Sequence, residues 1–205
     1  MATTTTNYGF DIPQSTDLVK DGATAIATLG QDIDTAMNTA LGTKKAGMVL
    51  LNTTSFSGVA SQSINDVFSS TYDNYRIVCQ FSSSTDQEVF FRLRASGTDL
   101  TSNVYRFGEF SIGVGIAGAF SSVANTLGTS LLICNNGSSF SAGFVADVIA
   151  PNKAEAKFFN SQSTGRIAYV KVSQIQEATA QTGFTIFCTA ATTITGSVSV
   201  YGYNK

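Results

Sequence analysis

The groups able to do chemistry in this chain are defined first by an absence: the sequence contains no histidine. That removes the usual general base near neutral pH and the commonest metal ligand. A Ser-His-Asp triad and every His-dependent zinc site go with it. The three cysteines, Cys79, Cys134 and Cys188, are far apart and form no C-x-x-C pair. Each sits in an apolar or β-branched run, which predicts buried free thiols acting as small hydrophobes. No metal and no cofactor is expected, and the chain is read as not an enzyme. A two-carboxylate hydrolase would need acids facing one another across a cleft. The candidates for that are Asp99, Glu109 and Asp147, with no preference among them.

Two motifs invite a sharper reading. Gly113-Val114-Gly115-Ile116-Ala117-Gly118 fits G-x-G-x-x-G. A dinucleotide site also needs a helix after the glycines and an acid about twenty residues on. Ser121, Ser122 and Asn125 make a poor helix and the next acid is Asp147, so a Gly-rich loop or bulged strand is expected. Phe90-Phe91-Arg92-Leu93-Arg94-Ala95 is the densest aromatic and basic stretch. On a strand, Phe91, Leu93 and Ala95 share one face and Phe90, Arg92 and Arg94 the other. Pairing of the arginines with acids such as Glu88 or Asp99 is expected. Twelve Lys and Arg against 14 Asp and Glu give a net charge of −2, which argues against a nucleic-acid partner.

Those residues must be placed by a chain of 205 residues, 43% hydrophobic and only 13% charged. The charged share is about half the usual quarter. The 24 Ser and 26 Thr replace much of that charge with hydroxyls. No stretch is long and apolar enough for membrane insertion, and the N-terminus lacks a signal-peptide pattern. The unpaired cysteines suit synthesis in a reducing cytoplasm.

Three segments emerge from the pattern. Residues 1–14 read as an extended arm, whose Tyr8, Phe10 and Ile12 it cannot bury alone, so the arm is expected to lie on a partner or to be disordered alone. An oligomerising segment, 15–46, holds one long helix from about Thr16 to Leu41. Ser15 or Thr16 is its expected cap, and Gly42 with Lys44-Lys45 its stop. Val19, Ile26, Ile33 and Ala40 recur seven apart, with Leu29 and Ala36 three after Ile26 and Ile33. That is an a/d heptad pattern and predicts a short self-associating coiled coil, the other reading being an amphipathic helix lying on the domain's own surface.

From 47 to 205 short β-rich runs alternate with turn clusters. Strands are expected at Met48–Phe56, Ser61–Val67, Tyr75–Phe81, Val89–Ala95 and Val104–Ile112, then at Ser130–Cys134, Ser141–Ile149, Ala156–Asn160, Gly165–Ile175, Phe184–Ala190 and Thr193–Tyr203. Clean alternation, as in Arg166 to Ser173, means one face buried and one wet. The fold class is therefore mainly β, an antiparallel jelly-roll-like sandwich preceded by the arm and the helix. Tyr72, Tyr75, Tyr105, Tyr201 and Tyr203 are candidate surface contacts.

The order of these parts resembles phage virion proteins of the tail fibre and adhesin group. The likeness is carried by Asn7-Tyr8-Gly9-Phe10-Asp11-Ile12-Pro13 running into Asp17-Leu18-Val19-Lys20-Asp21-Gly22, by Phe91 to Asp99, and by Val198 to Tyr203. The resemblance implies a tail fibre or receptor-binding appendage, located in the virion and made in the host cytoplasm. Asn7, Tyr8, Gly9, Phe10, Ile12 and Pro13 would dock the arm on other virion proteins. Val19, Ile26, Leu29, Ile33 and Ala36 would join the chain to itself, as a homotrimer. The β-rich part would face a host glycan or protein. A capsid cement or decoration protein is the alternative.

Overall fold

A computed structural model describes residues 3–12, 18–42, 47–113, 120–138, 141–189 and 191–205. The chain divides into two units, Met1–Gly47 and Met48–Lys205.

The first unit opens with β1 (Thr3–Thr4) and β2 (Asp11–Ile12), which pair antiparallel. The described arm is thus a hairpin rather than an extended segment. Its cause is local. Phe10 N–H donates to Thr5 Oγ1 at 2.9 Å, Gly9 N–H donates to Thr5 O at 3.0 Å, and the Tyr8 and Phe10 rings stack 5.6 Å apart. Gly9 takes φ +69°, a left-handed conformation open to glycine at no steric cost. The helix α1 runs from Val19 to Met37 and continues as one π turn, Asn38–Gly42. It starts later than expected, with Leu18 at its N-cap and no side-chain cap, while Asp21 lies in the first turn where the dipole favours an anion. The expected caps Ser15 and Thr16, and the stop at Lys44-Lys45, lie outside the described residues.

The second unit is antiparallel β throughout its described pairings. In chain order its strands are β3 (Met48–Val59), β4 (Ser61–Ile64), β5 (Asn74–Ser83), β6 (Gln87–Ala95), β7 (Thr98–Asp99), β8 (Tyr105–Gly113) and β9 (Phe120–Gly128), then β10 (Leu131–Asn136), β11 (Ser141–Ile149), β12 (Lys157–Thr164), β13 (Ile167–Ile175), β14 (Gly183–Cys188) and β15 (Ile194–Tyr203). Every expected strand region carries a strand, with ends displaced by a few residues. Strands β7 and β9 are additions that alternation does not predict. The sharp β6–β7 turn needs positive φ at both central residues, and Ser96 (φ 50°) and Gly97 (φ 78°) supply it.

Hydrogen bonding orders one layer β3-β15-β5-β11-β12-β13-β8-β9 and the other β10-β6-β14-β4, with β7 on β6. The layers are joined at one residue pair, Asn135 with Ile167. They face each other through aromatic rings. Phe91 on β6 lies 4.6 Å from Phe159 on β12 and 5.3 Å from Phe184 on β14, and Phe68 lies 4.7 Å from Tyr75 on β5. This makes the unit a two-layer sandwich with its core between the layers. Polar atoms that enter the core find partners there: Tyr105 Oη accepts from Leu93 N–H and donates to Leu100 O, both at 3.0 Å. The Lys157 ammonium, fully buried, donates to the carbonyls of Lys153, Glu155 and Glu177 at 2.6–2.7 Å.

Phe91 touches both layers, so Phe91→Ala should cost about 3–5 kcal/mol through lost burial and a residual cavity. Urea unfolding of the whole chain measures it, and a loss below about 1 kcal/mol would show that the layers are not held there.

Candidate functional site

The three candidate carboxylates do not converge. Asp99 pairs with Arg94 at the β6–β7 hairpin and accepts from Thr185 Oγ1 at 2.7 Å. Glu109 turns inward on β8 and meets Lys171 Nζ at 2.5 Å. Asp147 faces outward on β11, in the other layer from Asp99. The cysteines are free and buried, and desolvation raises all three thiols, Cys134 to about 12 and Cys188 to about 11. No group of three potential metal ligands occurs among the described residues. In the glycine-rich motif, 114–119 lies outside the described residues. From Phe120 the chain forms strand β9, which pairs back on β8, and not a helix.

Lys171 is the least expected charge. Its side chain is 1% exposed, with the ammonium 4.5 Å from the Tyr169 ring centroid and 4.8 Å from that of Phe107. Burial lowers its pKa, opposed by Glu109. An amine so enclosed meets no substrate. It is a structural ion pair in the sheet interior.

Arg94 and Arg92 behave differently. Arg94 pairs with Asp99, as expected, and also donates to Ser63 Oγ and Thr185 Oγ1 at 2.9 and 2.7 Å. Arg92 instead donates to the carbonyl of Thr129 at 3.0 Å and lies over the Phe187 ring at 4.4 Å. Among the candidate tyrosines, Tyr75 and Tyr105 are core residues, while Tyr72, Tyr201 and Tyr203 are half-buried.

In the first unit, Val19, Ile26 and Ile33 are 97%, 65% and 39% exposed, whereas Leu29 and Ala36 are half-buried. Tyr8 is 74% exposed and Ile12 39%, Asn7 and Gly9 are exposed, and Phe10 is half-buried. Pro13 lies outside the described residues.

The feature that sequence reasoning missed is the outer face of the eight-stranded layer. Strand β13 inverts the usual pattern: Tyr169, Lys171 and Ser173 point inward, and Val170 and Val172 outward, 50% and 65% exposed. Register then aligns Val78, Val145, Gln162, Val170 and Phe110 in one row across β5, β11, β12, β13 and β8. The next row holds Arg76, Asp147, Asn160 and Val172. The first row lines a groove of about 480 Å³, and the second an adjoining depression of about 430 Å³. Arg76 grips Asp147 with two bonds, Nε to Oδ1 at 2.9 Å and Nη2 to Oδ2 at 2.8 Å, and Tyr203 Oη donates to Oδ1 at 2.7 Å. Arg76 first, then Tyr203, holds the Asp147 carboxyl below the usual carboxylate range. The signal was present in the alternation of Ala168 to Gln174, but the alternation does not say which side is inside.

No family model and no curated protein matches the chain. Among solved structures, it is similar to a tetrameric galectin from the ball sponge Cinachyrella sp., at 12% identity over 70% of this chain and 99% of that one, with a TM-score of 0.34. A Caenorhabditis elegans galectin, LEC-6, shares 8% identity over 75% and 95%, with a TM-score of 0.30. The exoplasmic/lumenal domain of VIP36, in a Ca2+/Man3GlcNAc-bound form, shares 9% over 76% and 78%, with a TM-score of 0.31. No helix among the described residues is long and apolar enough to cross a membrane.

The ion pairs give two expected outcomes. Because the folded Asp147 pKa is lowered, its ionised form contributes stability that is present above the unfolded value near 3.9 and lost as pH falls through the folded value. Asp147→Asn should therefore lower stability at pH 7 and remove that part of the acid loss below about pH 4, as read from melting against pH. A variant whose acid profile matches the parent would overturn this. Lys171→Met alone should cost about 3–5 kcal/mol by stranding Glu109, while Lys171→Met with Glu109→Leu should recover most of it. Equal losses in a double-mutant comparison would show that the charge pair is not the cause.

Proposed function

We propose that this chain is a phage virion structural protein, a tail fibre or receptor-binding appendage that acts by binding as a homo-oligomer. The observation that carries the reading is the helix α1. Its heptad positions Val19, Ile26 and Ile33 lie exposed. Gly22 and Gly30 weaken the helix by about 1 kcal/mol each relative to alanine. A Cβ added at either would meet nothing within 4 Å among the described residues. A 19-residue helix so built gains its stability from partners rather than from propensity. Three copies joined through Val19, Ile26 and Ile33, with Leu29 and Ala36 beside them, bury the stripe as a short coiled coil. The hairpin, with Tyr8 stacked on Phe10, offers an amphipathic tip for other virion proteins.

In this reading the sandwich is jelly-roll-like and is presented to the host surface. The separation of Asp99, Glu109 and Asp147 supports binding rather than hydrolysis. Several weak sites on one oligomer then give strong attachment.

Sedimentation equilibrium of the full chain tests the assembly. The expected mass is three times the 21.5 kDa of one chain, falling to one chain in Ile26→Asp with Ile33→Asp while the β unit stays folded. A parent chain that is monomeric at micromolar concentration would overturn it. Gold labelling at Lys205 on phage particles should mark the tail, and a label spread over the head would favour the cement reading instead.

A further inference from the structure

We infer that the outer face of the eight-stranded layer binds a neutral oligosaccharide. The inference deepens the attachment reading and rests on it for the biological setting, but the site is argued from its own geometry. The groove and the depression adjoin on this face. The groove is walled by Val78, Val145, Val170 and Phe110 with Gln162 among them, and the depression by Arg76, Asp147, Asn160 and Gln162 together with Val145, Val170 and Val172. A sugar ring has the same mixture: an apolar face of C–H groups and an edge of hydroxyls that both donate and accept.

The polar groups are available in the right form. Asn160 and Gln162 are exposed and on the same side of β12, two residues apart, and their amides make no hydrogen bond with described residues. Each amide offers two donors and one acceptor oxygen, which suits neighbouring hydroxyls. Beside them, Asp147 is fixed by Arg76 and Tyr203, so its orientation is set before any ligand arrives. The charges of Arg76 and Asp147 cancel at the centre of the face, which favours a neutral ligand over an acidic or basic one. The row of Val78, Val145, Gln162, Val170 and Phe110 spans five strands at about 4.8 Å spacing, a width of about 20 Å. A short chain of sugar rings matches that width.

The test uses the full chain on a panel of immobilised neutral oligosaccharides built from glucose, galactose, mannose and N-acetylglucosamine. At least one class should be retained. Asn160→Ala with Gln162→Ala, and separately Val170→Glu, should each weaken retention at least tenfold, with melting temperature and mass unchanged. No retention at millimolar saccharide would overturn the inference. So would retention indifferent to both variants. A fall in mass on Val170→Glu would assign the face to a second copy and overturn it too. The mass measured in parallel keeps the two readings apart. A monomer that binds sugar supports this site and sinks the oligomer, while an oligomer that retains no sugar does the reverse.

Discussion

The ring of Phe91 meets Phe159 in the opposite layer and Phe184 in its own, and the side of each strand that faces this contact becomes the inside of the molecule. Strands alternate sides with period two, so one such contact orients whole strands at once. Phe159 turned inward sends Asn160 outward, brings Ser161 in and sends Gln162 out. The row pairing carries that choice sideways, from β12 to β13 and on to β8. The outer groove is thus set by the core: its residues are those left over when Phe91 has chosen its neighbours.

Much of the fold could be read from the sequence because it depended on local signals. Alternation found the long strands, whereas the turn at Ser96 and Gly97 shows itself in the positive φ at both positions. The two faces of Phe90 to Ala95 were assigned as they stand, since Phe91 and Leu93 outweigh Arg92 and Arg94 on any hydrophobic scale. Strand β9 was missed because Phe120 to Gly128 is rich in small and polar residues and shows no alternation to detect. The arm was read as extended because a two-residue strand pairing is invisible to periodicity. Thr5, Gly9 and the Tyr8–Phe10 stack close it through contacts no pattern encodes.

The candidate site was illegible for a different reason. In Ala168 to Gln174 the valines look like core and the lysine like surface, and the structure places them the other way round. Hydropathy alone would turn Val170 and Val172 inward. Tyr169 and Ile175 are large enough to compete, and both are buried on the opposite side of the strand. With apolar groups on both faces the hydrophobic pattern specifies register only weakly, and a second constraint must decide.

That constraint is the pair of Lys171 with Glu109. The two residues are direct partners across β13 and β8, so they reach each other only in this register. A slip of one residue in β13 would carry Lys171 to the outer face and leave Glu109 in the interior without its cation, at a cost of several kcal/mol. The Tyr169 and Phe107 rings flank the ammonium in the observed arrangement and would lose it in the slipped one. A buried ion pair contributes little net stability against an apolar substitute, yet it discriminates sharply between registers. A chain with only 13% charged residues places one of its few pairs in its interior, and the valines it thereby turns outward become the wall of the groove.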